Sequence, residues 1–349
     1  VPKLKADAPV TDVKAQWVAC DPANTPGFSA VGYYFGRALQ QARGVPVGLI
    51  HTSWGGSPAE VWMSQDVLAS NADYKSTFVD AYNKAVERNP TNKPFWKPSE
   101  LYNGMIAPLL PYAIKGAIWY QGESNAGRAW QYRSLYTDMI RNWRRDWQEG
   151  NFTFLCVQLA PWDKNRKRGL EHINITPEES DWAELRDAQL YSTTALPNVG
   201  MAVITDVGDK DDIHPTKKKP VGERLALAAR SIAYGEKITG AGPTYRGMTV
   251  KGNTIYLSFD NVGKGLEAGD GKLTGFAIAA ADQKFVWANA EIVGDRVAVS
   301  SPLVPDPVAV RYGWSDYPVV SLWNKDGLPA TPFRTDRFPL LTQPKQSKP

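Results

Sequence analysis

Three histidines, His51, His172 and His214, are the only side chains of this sequence whose ordinary pKa lies near neutrality. A hydrolase that takes up a proton near pH 7 would draw its base from among them. His214 ends the run Asp206-Val-Gly-Asp-Lys-Asp-Asp-Ile-His-Pro215, in which four aspartates fall within eight residues of it. A carboxylate bonded to an imidazole fixes its tautomer and stabilises the imidazolium formed on proton abstraction. Asp211 makes a D-x-x-H arrangement with His214, and Asp212 is the alternative orienting group. Residue content alone fits an acidic surface loop with an incidental histidine equally well. His51 follows an apolar run and suits either a core or a site-lining position, while His172 lies in a charged, exposed stretch.

Two turns add further chemistry. In Ser53-Trp54-Gly55-Gly56-Ser57 the glycines let backbone N–H groups approach a developing oxyanion. Ser53 has part of a nucleophile-elbow setting but lacks the preceding glycine, because position 51 is histidine, so a structural turn serine is the plainer reading. Tyr120-Gln-Gly-Glu-Ser-Asn125 offers the amides of Gln121 and Asn125 as oxyanion donors and Glu123 as the anchor of a network, whereas Ser124 in Gly-Glu-Ser is a weak nucleophile match.

These groups need a frame. A helical pattern starts at Ser29 and stops at Gly44, Val45–Ile50 reads as a short buried strand, and residues 64–94 read as amphipathic helix. Ala113–Tyr120, Phe152–Leu159 and Val199–Thr205 read as further buried strands, interleaved with helices over Trp130–Trp147, Trp182–Ser192 and Val221–Tyr234. Buried strands alternating with helices predict a parallel α/β sheet, with sites at the carboxyl ends of its strands. All three polar motifs follow strands, which favours an enzyme. Beyond residue 238 the texture changes to short alternating runs, among them Thr254–Phe259, Phe276–Ala280 and Arg296–Ser300, with turns such as Lys251-Gly-Asn253 between them. The organisation expected is therefore a catalytic α/β domain over residues 1–238 and a small all-β domain over 239–349.

A net charge of +4 on 349 residues is too weak for a nucleic-acid footprint, and the Lys217–Lys219 run reads as a solvated helix start. No apolar run approaches the length that crosses a membrane. Cys20 and Cys156 could pair but form neither a disulfide framework nor a metal-ligand spacing. Thirteen Trp, fifteen Tyr and eleven Phe mildly favour a carbohydrate partner, though most such rings serve as core.

Three ordered stretches carry a specific resemblance. Val45-Pro-Val-Gly-Leu-Ile-His-Thr-Ser-Trp-Gly-Gly56 with Glu60-Val-Trp62-Met63, Trp119-Tyr-Gln-Gly-Glu-Ser-Asn125, and Asp212-Ile-His-Pro215 followed by Lys219, Val221-Gly222 and Arg224-Leu-Ala226 resemble the sialate O-acetylesterase family. Phe28–Val31 and Tyr33–Arg37 extend the match, which covers about residues 15–235. The resemblance implies an SGNH-type three-layer α/β/α sandwich that removes acetyl esters from sugars without metal or organic cofactor. Close relatives act on acetylated xylan or xyloglucan. It implies His214 as base with Asp211 or Asp212 behind it, Gly55 or Gly56 and Gln121 or Asn125 at the oxyanion, and Glu123 and Trp54 as site-structuring or substrate-orienting groups. The family's nucleophile lies in a Gly-Gln-Ser-Asn-Met segment after its first strand, upstream of every match, and no such segment occurs in residues 1–349. The expectation is an N-terminal fragment of the same precursor, carrying the serine and the first strand and docked on residues 1–235, with Ser53 as the fallback nucleophile. Val1 shows no secretory leader and no initiator Met, which reads as a processed or trimmed product. The expected location, periplasmic or extracellular, follows from the resemblance. A non-catalytic carbohydrate-binding protein is the rival from another class.

Overall fold

The computed structural model describes residues 1–164, 168–173 and 175–345. After a long irregular lead, α1 (Ala30–Arg43) is capped by the Ser29 hydroxyl, which accepts from the Gly32 N–H, and is closed by Gly44 in the left-handed region. Chain order then gives β1 (Gly116–Trp119), α2 (Ala129–Trp147), β2 (Thr153–Val157), α3 (Asp181–Ala195), β3 (Val199–Ala202) and α4 (Lys218–Ile232). Strands β1, β2 and β3 pair in parallel in that order.

Alternation along the strands builds three layers. Phe154, Cys156, Val199 and Met201 face the larger core, shared with α2 and α3, while Leu155, Val157 and Ala202 face a second core with α1 and α4. Helices α1 and α4 approach closely at Gly222, where a Cβ would lie 2.7 Å from the Phe35 nitrogen and 2.8 Å from the Val31 oxygen, so only glycine fits.

The sheet is uneven. Strands β2 and β3 are buried along their whole length, but β1 is exposed at Gly116 and half-buried at Ala117 and Ile118. Its far edge has no ladder partner among the described residues. The segment Val45–Ile50, expected as a strand, belongs to no sheet. It nonetheless lies between the two cores: Val47 packs on the α1–α4 side, Ile50 on the other, and Leu49 against Gly36 of α1. The segment is not buried as expected, however: Val45, Pro46 and Gly48 are exposed and the other three half-buried, because cover and a ladder both need a neighbouring strand that this segment lacks among the described residues. An apolar patch lies beside it, with Trp17, Val18, Val45 and Tyr112 each at least half exposed and the Trp17 ring against Gly48.

The expected helix over residues 64–94 is broken into Gln65–Ser70, Ala72–Tyr74, a π turn and Ala81–Arg88. Asn71 causes the first break, because its side-chain oxygen accepts from the N–H groups of Asp73 and Tyr74 and restarts the helix there. Cys20 is exposed and Cys156 buried, both as free thiols, so the possible pairing is not formed. Burial pushes the Cys156 thiol up to about 12.

The remaining strands form the β part. They are β4 (Thr244–Lys251), β5 (Thr254–Asp260), β6 (Leu266–Ala268), β7 (Phe276–Ala279), β8 (Val286–Trp287), β9 (Asn289–Val293), β10 (Arg296–Ser300), β11 (Ala309–Tyr312), β12 (Leu322–Asn324), β13 (Leu328–Pro329) and β14 (Phe333–Arg334). Antiparallel sheets β4-β5-β10-β9, β14-β11-β7-β8 and β13-β12-β6 enclose a separate apolar core. The two parts are joined by Arg186 of α3, fully buried, which donates to the carbonyls of Leu159, Ala160, Ser315 and Asp316.

Candidate active site

The loops after Val45–Ile50, β1 and β3 converge at one end of the sheet. The glycine turn is held by two side-chain relays. The Trp62 indole N–H donates to the Ser57 hydroxyl at 2.8 Å, and that hydroxyl donates to the Trp54 carbonyl at 2.6 Å. The Gly56 carbonyl accepts from the Trp96 indole at 3.1 Å and from the Ser124 hydroxyl at 3.0 Å. In a trans peptide the N–H points opposite the carbonyl, so tying these two carbonyls also fixes the N–H groups of Gly55 and Ser57. Gly56 has φ of 75°, and no acceptor among the described residues bonds the N–H groups of residues 55–57. Successive free N–H groups around a left-handed glycine form a concavity suited to negative charge.

Replacing Ser57 with alanine removes one relay and leaves the buried Trp62 N–H without an acceptor. Urea denaturation is expected to show a loss of about 1–3 kcal/mol. Ser57→Thr keeps the hydroxyl and is expected to retain most of the stability.

The second motif is more occupied than its sequence suggests. Both amide hydrogens of Gln121 are taken, by the Ser57 carbonyl at 3.2 Å and the Asn125 side-chain oxygen at 2.6 Å, and its own oxygen accepts from the Tyr132 hydroxyl. Gln121 therefore braces the glycine turn and has no free hydrogen for an oxyanion. Asn125, buried, donates one hydrogen to Glu60 and accepts from the Ala59 N–H, so at most one amide hydrogen is free. Arg128 pairs with the other oxygen of Glu60. Gly122 is required by packing, since a Cβ there would meet Leu185 at 2.4 Å.

His214 stands at the surface with its ring largely exposed. Asp212 accepts from the His214 backbone N–H at 2.8 Å and places an oxygen 3.7 Å from Nδ1, a charge neighbour rather than a ring hydrogen bond. Asp211 instead pairs with Lys210, while Asp209 accepts from the N–H groups of residues 211 and 212 and shapes the loop. Asp206 is clamped by Arg224. Behind His214 lie Glu123 and Lys218. Burial pushes the Glu123 carboxyl above its usual range, opposed by N–H donors and by the charges of His214 and Lys218. Burial lowers Lys218, opposed by Glu123 and Asp212. The motifs at 121–125 and 206–214 thus share one electrostatic neighbourhood.

One pairing was not foreseen. His51 Nε2 lies 2.6 Å from the Ser53 hydroxyl, as residues two apart on an extended segment can. Burial lowers the His51 pKa, followed by the positive charges of the amino terminus and Lys3. No carboxylate orients this ring among the described residues. His172 is an exposed neighbour of Glu171, apart from the site. Trp54 flanks the turn and meets Trp96 edge to face at 5.7 Å, with Phe95 exposed beyond it. No cluster of potential metal ligands exists among the described residues.

The profile of a family described as carbohydrate esterase, sialic acid-specific acetylesterase, matches residues 5–231. Human sialate O-acetylesterase is 32% identical over 338 residues, covering 87% of this chain and 60% of the relative. The mouse protein of the same name is 30% identical over 354 residues, with 87% of this chain and 63% of the relative covered. The chain thus spans about 60% of the length of the curated relatives it matches. A solved structure described as a novel carbohydrate acetylesterase from Xanthomonas citri superposes with a TM-score of 0.84 at 42% identity, covering 97% of this chain and 72% of that one.

Proposed function

Because the chain belongs to the sialic acid-specific acetylesterase family of carbohydrate esterases, we propose that it forms the base-bearing part of a carbohydrate O-acetylesterase that works by serine acyl transfer. His214 takes the proton of a serine hydroxyl as the oxygen attacks the acetyl carbonyl. The free N–H groups of the Gly55–Gly56 turn receive the oxyanion, with Asn125 as the side-chain donor in place of Gln121. As the intermediate collapses, His214 gives the proton to the sugar oxygen whose bond to the acetyl carbon breaks, releasing it as a hydroxyl, and water repeats the cycle on the acetyl-enzyme. Asp212 supports His214, with Asp211 as the alternative. The observation that carries the reading is the set of acceptor-free N–H groups at residues 55–57, braced by Ser57, Trp96, Ser124 and Gln121.

The serine is proposed to arrive on a separate N-terminal segment of the precursor. That segment would add as a strand along the open edge of β1, beside residues 45–50. The half-exposed β1, the ladderless and partly exposed 45–50 stretch and the apolar patch of Trp17, Val18, Val45 and Tyr112 support this. Denaturing mass spectrometry of active material is the test. A second, serine-bearing polypeptide is expected, and full activity from the 38.5 kDa species alone overturns it. In that event the contact of Ser53 with His51 favours a second reading, with Ser53 as nucleophile and His51 as base.

Sialic acid O-acetyl esters are the proposed substrate, with acetylated xylan or xyloglucan as the alternative; acetate release from each decides between them. The proposed location is periplasmic or extracellular, which cell fractionation tests.

A further inference from the structure

The β part has a cavity of its own, far along the chain from the glycine turn. Its volume is about 80 Å³, and it opens where residues 177–179 meet the sheet of β7, β8 and β11. Phe285, Trp314, Arg311, Gln283, Glu178 and Glu179 line it. Two of these residues are almost wholly buried, Arg311 at 3% exposure and Trp314 at 6%.

The Trp314 indole N–H is buried and has no acceptor among the described residues. Its ring is covered by the guanidinium groups of Arg311 at 4.8 Å and Arg334 at 5.8 Å, leaving its edge as the polar feature. Arg311 also stacks on Phe285 at 4.2 Å. Of the five N–H groups of a guanidinium, Arg311 uses three, two on Asp336 and one on Glu179. A buried donor without a partner is costly, so a site that keeps the Trp314 N–H open is shaped for an acceptor brought by something else. At the rim Gln283 holds a left-handed backbone with φ of 65°, uncommon away from glycine.

The charge balance limits what that something is. Arg311 and Arg334 are matched by Asp336 and Glu179, and Glu178 is paired with Arg168. An anion would meet these carboxylates, and a cation would meet the guanidinium groups. What remains suited is a neutral ligand with an apolar face for Phe285 and hydroxyls that accept from Trp314 and Arg311 and donate to the glutamates. We propose that this cavity is a second carbohydrate site, which takes one edge of a neutral pyranose residue in a polysaccharide chain and so anchors the protein to polymer. The inference does not depend on the esterase reading, because it concerns binding alone.

Affinity electrophoresis in native gels containing soluble xyloglucan or xylan tests it. The chain is expected to be retarded by at least one of the two polymers. Trp314→Phe keeps the ring and removes the N–H, and the dissociation constant is expected to rise about tenfold. Gln283→Ala at the rim is expected to weaken binding severalfold and decides the matter if Trp314→Phe does not fold. The anionic sugar sialyllactose is expected not to compete. No retardation by either polymer overturns the proposal, as does retardation unchanged in folded Trp314→Phe and Gln283→Ala.

Discussion

His214→Ala, made in the assembly proposed to carry the nucleophilic serine, is expected to slow 4-nitrophenyl acetate hydrolysis by about 10³-fold or more. The ring is exposed and makes no core contact, so the variant is expected to fold and melt as the unmodified protein does. That separates lost chemistry from lost structure. Glu123 and Lys218 stay in place beside the vacancy, but neither replaces the base: Lys218 is a cation, and burial favours the protonated form of Glu123. Wild-type-like turnover by His214→Ala would remove His214 from the mechanism. The matching variant is Ser53→Ala, which is expected to be near-neutral for turnover. Collapse of activity there instead would transfer the chemistry to Ser53 and His51. Burial and nearby positive charge lower the His51 pKa, so a rate that depends on its neutral ring would hold to below pH 6.5 and fall only as pH drops through that lowered value.

Arg186→Met is the second large effect expected, and it concerns stability. The guanidinium serves four carbonyls from two parts of the molecule without exposure to water. Methionine fills similar volume but leaves those carbonyls unmet, at a cost of about 3–5 kcal/mol. Urea denaturation followed by tryptophan fluorescence checks this, and a change under about 1 kcal/mol would mean that water satisfies the carbonyls. Burial also lowers the Arg186 pKa, to about 9, with Asp316 opposing.

Much of the frame was legible because local pattern and tertiary outcome agree. Ser29 and Gly44 bound α1, and the apolar runs at β2 and β3 are buried on both faces, as parallel strands are. Val45–Ile50, expected as a buried strand, is neither paired nor buried: Val45, Pro46 and Gly48 are exposed and Val47, Leu49 and Ile50 half-buried, since burial and pairing both depend on residues elsewhere. The 64–94 stretch carries helical periodicity, yet one side-chain oxygen at Asn71 outweighs it locally. In the site, the convergence of the loops after residues 45–50, β1 and β3 could be read in advance. The assignment of Gln121 as an oxyanion donor could not be checked, because its partners, Ser57 and Asn125, are known only once the loops meet. The bracing roles of Ser57 and Trp96 were missed for the same reason: nothing in a serine or tryptophan announces which distant carbonyl it will hold.

The two free thiols give the molecule an internal clock. Cys20 is exposed and open to alkylation. Cys156, central in β2 beneath α2 and α3, is shielded from solvent and disfavoured as thiolate, so it reacts only when the sheet itself opens. With iodoacetamide the first label reports the intact population and the second reports each opening of the core. The ratio of the two rates measures how often the sheet opens, and it would fall if a further strand closed the edge of β1.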